Sequence, residues 1–159
     1  MRKMSIDELL QKPYWIIDIL PMQVPKDSPG QYFAVENYFL EEERLSAIKQ
    51  KHINVILKLN CYRDLSIDEE TEKNPRPERI AEEMRKRYLY LMADEAMILS
   101  EPDDTHMTVF NPDEELLKLI KLLASSEGLF LWKQSFRRCQ QLRKDCFSGN
   151  RQCKELFSV

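Results

Sequence analysis

Asp103, Asp104 and His106 crowd into the stretch SEPDDTHMTVFNP, residues 100–112, which holds one of only two histidines in the chain. Two carboxylates and an imidazole are hard and borderline ligands that suit a divalent zinc, manganese or iron ion. Three ligands on one short loop would still leave a coordination position to fill. The same residues are also ordinary turn material, because an aspartate side chain hydrogen-bonds its own backbone and tolerates turn dihedrals. We read the segment as a hairpin tip, with metal binding by Asp103, Asp104 and His106 as the alternative.

Three further residues could do acid–base chemistry. Asp18 interrupts the most apolar run in the chain, YWIIDIL, and Glu36 sits between Tyr32 and Tyr38. Facing one pocket, they would form a carboxylate pair in which desolvation and repulsion raise one pKa. Solvent-facing positions explain each of them equally well. His52 falls where a helical stripe expects an apolar residue, so it is either a general base with a burial-lowered pKa or a hydrogen-bonded core histidine.

No G-x-S-x-G elbow, Walker loop, G-x-G-x-x-G or H-E-x-x-H occurs, and three glycines leave little backbone suited to cradling phosphates. This argues against a cofactor-dependent enzyme, and no cofactor is expected.

The elements that must position these residues follow from spacing. Ser5-Ile-Asp-Glu8 is a capping box opening a helix at 6–12 that stops at Pro13. Residues 14–20 are rich in aromatic and β-branched groups and read as a buried strand. In 31–39, QYFAVENYF, alternation predicts a second strand antiparallel to the first, with Phe33, Val35 and Phe39 on one face. From 41 to 62, Leu45, Ile48, Val55, Ile56, Leu59 and Tyr62 recur at helical spacing after the acidic opening Glu41-Glu42-Glu43.

A charged, proline-bearing stretch from 66 to 79 reads as a surface loop, and Pro77 opens a helix at 77–87. Residues 88–92 fit a strand or a helix end. Residues 96–100 and 106–110 should pair as a hairpin. Asn111-Pro-Asp-Glu114 predicts a helix at 112–126 with Asn111 as its N-cap, closed by Gly128. GLFLWK, 128–133, should then return as a strand beside the hairpin.

The fold class expected is α+β, a single domain over 5–134. A mixed or antiparallel sheet of four to five strands packs against the helices at 41–62 and 112–126. Hydrophobic residues at 43% and charged ones at 32% suit a folded chain rather than a disordered one.

Residues 135–159 form a basic C-terminal appendage, with an amphipathic helix at about 134–147. Residues 133–159 carry seven basic and two acidic groups, a balance of +5, so the other 132 residues carry −8. An acidic body repels phosphates, which makes nucleic acid an unsuitable partner for the body and leaves it open for the tail.

Cys139, Cys146 and Cys153 recur every seventh residue. Seven helical residues rise ~10.5 Å, too far for shared Zn–S bonds of ~2.3 Å or a disulfide with Cα atoms ~5.5 Å apart. Free thiols, the lack of an apolar leader segment and the lack of a run of ~20 apolar residues predict a cytoplasmic protein with no membrane span.

The function expected from these features is non-enzymatic binding of another protein, in the manner of a small acidic inhibitor or immunity protein. The alternative is a small metal-dependent or acid–base hydrolase using Asp18, Glu36 and the 103–106 loop.

Overall fold

The fold was analysed in a computed structural model that describes residues 3–134. The basic helix expected at 134–147, the rest of the appendage and Cys139, Cys146 and Cys153 lie outside the described residues.

The chain runs α1 (Ile6–Leu9), β1 (Tyr14–Asp18), α2 (Tyr32–Phe39), α3 (Glu42–Asn60), β2 (Ser66–Ile67), α4 (Pro77–Lys86), β3 (Leu89–Ala93), β4 (Ala96–Ser100), β5 (Met107–Phe110), α5 (Glu114–Ser126) and β6 (Phe130–Lys133). The six strands form one open sheet in the order β2-β3-β4-β5-β1-β6. Every neighbouring pair is antiparallel. Of the mixed or antiparallel alternatives, the sheet is therefore antiparallel, with one strand more than the upper expectation. The extra strand is the two-residue β2, hidden in the charged stretch read as loop.

Side chains alternate between two layers, as the pleat requires. Ile17, Leu89, Leu91, Ile98, Met107 and Val109 point to one face, where α3, α4 and α5 add Ile53, Ile56, Leu59, Ile80, Met84, Leu116 and Ile120. Tyr14, Ile16, Met92, Met97, Leu99 and Phe110 point to the other, covered by Leu9 of α1. With both faces covered, β4 and β5 are buried at every position. Each Leu or Ile taken out of water here contributes about 1.5–3 kcal/mol.

The segment 31–39 is a helix, α2, and not the second strand that alternation predicted. Tyr32, Glu36 and Phe39 recur at i, i+4 and i+7 and are its half-buried face, while Phe33 and Val35 are exposed. In nine residues both periods fit the apolar pattern, so the tertiary environment decides between them.

The place beside β1 predicted for that segment is taken instead by β5 on one side and β6 on the other. The return strand β6 consequently lies one strand away from the hairpin, at the sheet edge. The first helix stops at Leu9, three residues short of the expected end, with the Ser5 hydroxyl accepting from the Glu8 amide at 3.2 Å as predicted. The 88–92 segment is the strand β3.

α5 starts two residues later than expected. Asp113, and not Asn111, is its N-cap and accepts from the Leu116 amide at 2.8 Å. Asn111 adopts a positive φ of 57° in the turn before it. Gly128 closes the helix as predicted, at φ 72°. The Gly128 amide donates to the Ser125 carbonyl and Leu129 to Ala124, satisfying two terminal carbonyls while burying Leu129.

Candidate functional site

Four of the residues singled out by chemistry meet at one end of the sheet. Asp18 ends β1 and His106 directly precedes β5. Because Ile17 pairs with Met107, Asp18 and His106 occupy the next position along the same two strands. Ile16 and Trp132, paired across β1 and β6, floor a small cavity at this end. Its polar lining is Asp18, Gln23, Tyr32, His106, Trp132 and Gln134, with Met22 among the apolar groups. The loop after β1 supplies Gln23 and Met22, and the inward face of α2 supplies Tyr32. The cavity volume is about 60 Å³.

His106 is oriented from behind. Its Nδ1 lies 2.8 Å from Asp104 Oδ1, and the same oxygen accepts from the Thr105 amide at 2.8 Å. A carboxylate that holds one ring nitrogen sets the imidazole's tautomer and angle. Asp103, one residue earlier, is exposed, as a hairpin tip predicts.

The Asp18 carboxyl is pushed up from its ordinary value, chiefly by burial; His106 nearby and the Ile19 amide, which donates to Oδ1 at 2.8 Å, pull it partly back. Burial also pushes the Tyr32 phenol upward, and its hydrogen bond to Glu36 and the charge of Asp18 act in the same direction. Tyr32 is thus neutral at physiological pH.

Asp18 and Glu36 both act on Tyr32, and desolvation accounts for the Asp18 shift that the sequence reading ascribed partly to its carboxylate partner. Its like-charged neighbour is Asp104.

His52 lies under the opposite face of the sheet. It is fully buried on α3, and its Nδ1 is 3.2 Å from Nζ of Lys49, itself only 3% exposed. Lys49 also donates to the Glu101 carbonyl. The 101–106 loop therefore ties the cavity on one face to the Lys49–His52 pair on the other. Burial holds the His52 pKa well below its ordinary value, with Lys49 adding to the effect.

Among the described residues, no group of three His, Cys, Asp or Glu side chains is arranged to hold a metal ion. Nor is any described helix long and apolar enough to cross a membrane.

No family model matches the chain, and no curated protein or solved structure matches it either.

Sequence reasoning missed Tyr32, Gln23, Trp132, Gln134 and Lys49. Reading 31–39 as a strand aimed Tyr32 at a sheet face instead of a cavity. For Lys49 a signal existed: it lies one helical turn before His52, at a spacing that places the two side chains together.

Proposed function

We propose that this chain is a non-enzymatic protein-binding module, of the small acidic inhibitor or immunity type, and that α2 is its contact element. The observation that carries this is the inverted amphipathicity of α2. Its only charged residue, Glu36, is half-buried beside Tyr32, while Phe33, Val35 and Tyr38 stand 48, 44 and 52% exposed around the rest of the helix, with the Arg44 guanidinium 3.5 Å over the Tyr38 ring. Surface helices normally turn their apolar stripe to the core, so large apolar side chains left exposed on a short helix favour an interaction role.

Met22, 66% exposed, adds a further apolar side chain at the cavity that Tyr32 of α2 lines. Glu41, Glu42 and Glu43 follow directly and are exposed, which suits a partner with an apolar groove and a basic rim. The cytoplasm is the compartment we propose, consistent with the free, exposed thiol of Cys61.

An acid–base hydrolase is the second reading, supported by the Asp104–His106 contact facing a cavity that also holds Asp18. Its weakness is size. A cavity of ~150 Å³ holds benzene, and pockets for drug-sized ligands measure ~300–1,000 Å³.

Co-purification from the source cells with native mass spectrometry tests the proposal, comparing the wild type with a Phe33→Glu/Tyr38→Glu variant. The expected result is a basic protein bound at fixed stoichiometry to the wild type and retained about 30-fold less tightly or worse by the variant. A wild type that stays alone, or retention unaffected by the two substitutions, would reject it.

A further inference from the structure

We propose that the cavity beneath α2 receives the head group of one basic side chain, an arginine guanidinium or a lysine ammonium, contributed by the bound partner. The inference rests on the protein-binding reading and names what the partner must present.

Size excludes larger occupants. At about 60 Å³ the cavity takes a few heavy atoms, the scale of a side-chain head. Charge selects a cation. Asp18 lines the wall, Glu36 and Asp104 stand behind Tyr32 and His106, and among the described residues no lysine or arginine lines the cavity; His106, the one lining group able to carry positive charge, is paired with Asp104. Lys49, the buried lysine among the described residues, is directed at His52 and the Glu101 carbonyl.

The remaining lining fits the same guest. The Tyr32 phenol gives its proton to Glu36, leaving its oxygen as an acceptor. Trp132 offers a ring of the kind that attracts a cation at close range. Among the described residues the buried Gln134 Oε1 has no hydrogen-bond partner, and it is an acceptor that a cation's N–H can meet. A lining of this composition, buried beside an exposed apolar rim, is how interfaces build the pocket for an anchoring residue.

The test needs no partner. The full chain is titrated with Nα-acetylargininamide, Nα-acetyllysinamide and the neutral isostere Nα-acetylcitrullinamide, following the Trp132 indole N–H by NMR at about 150 and 500 mM salt. The expected result is a saturable shift of that resonance with the arginine or lysine amide and none with citrulline; which of the two binds tighter identifies the head group. Asp18→Asn should weaken binding tenfold or more, and Tyr32→Phe about tenfold. If Asp18→Asn fails to fold, Tyr32→Phe carries the test.

Equal binding of the citrulline amide, or shifts spread over the acidic surface that high salt removes and Asp18→Asn leaves unchanged, would overturn the proposal. A cavity already filled by this chain's own Arg137 or Arg138, which follow Gln134 by three and four residues, would overturn it too. In that case Arg137→Gln/Arg138→Gln alone would shift the indole and open the cavity to the probe. Failure of the probes while Phe33→Glu/Tyr38→Glu still abolishes partner binding would remove this inference and leave the role of α2 standing.

Discussion

Lys49 Nζ sits 3.2 Å from His52 Nδ1 inside the core, one helical turn apart on α3. An ammonium has only protons to give, so Nδ1 must accept and the ring proton of a neutral His52 rides on Nε2. Nε2 has no hydrogen bond of normal geometry among the described residues, although the Thr105 backbone lies close to the ring.

This pair predicts an acid-labile component of stability. The folded His52 resists protonation, whereas the unfolded one takes up a proton near pH ~6.5. Below that pH the unfolded state binds more protons, so stability falls as pH falls. Urea unfolding at about pH 7.5 and 5.5 should show a larger loss in wild type than in His52→Leu. His52→Ala should cost about 2–4 kcal/mol, from the cavity and the acceptor that Lys49 loses.

Asp18 has the opposite sign. Its folded pKa is raised, so the folded state binds the proton more readily, and the ionised carboxylate opposes folding at pH values above that pKa. Asp18→Asn keeps an acceptor for the Ile19 amide and removes the charge. The variant should melt higher than wild type at pH 7, and the gain should shrink as pH is lowered through the carboxyl's titration. A variant that melts lower at pH 7 would mean the carboxylate is held by favourable contacts.

The ends of α5 can be tested separately. Asp113→Ala should cost about 1 kcal/mol through its lost cap. Asn111 donates to the Glu95 carbonyl at 2.9 Å from a left-handed backbone, so Asn111→Gly should be tolerated better than Asn111→Ala. At Gly128 an added Cβ would meet only Lys51 Nζ at 3.9 Å, an ordinary contact. Gly128→Ala should therefore cost about 1–2 kcal/mol from backbone strain alone. Chemical denaturation of the four variants checks the ranking.

The outer face of α2 should contribute little to folding. Phe33→Ser and Val35→Ser should each change stability by about 0.5 kcal/mol or less, as exposed positions away from packing do. A loss of several kcal/mol in thermal or urea unfolding would show that this face packs against something.

The amino-acid sequence by itself determined the elements whose signals are local. The stripe through Ile48, Ile56 and Leu59 specified α3, Gly128 specified the end of α5, and the apolar run before Asp18 specified β1. The hairpin of β4 and β5 was equally legible, because its two strands are close neighbours along the chain.

Only the tertiary structure decided what depended on distant partners. QYFAVENYF fits both a strand and a helix, and β1 prefers β5 and β6 as neighbours, leaving 31–39 to fold over the sheet end as α2. That choice placed Tyr32 beside Asp18 and His106 and turned Phe33 outward. Pairings between residues 14–18, 107–110 and 130–133 close long loops, and their gain comes from burying both faces of a sheet. Periodicity records which side of an element is apolar, but not which other element will cover it.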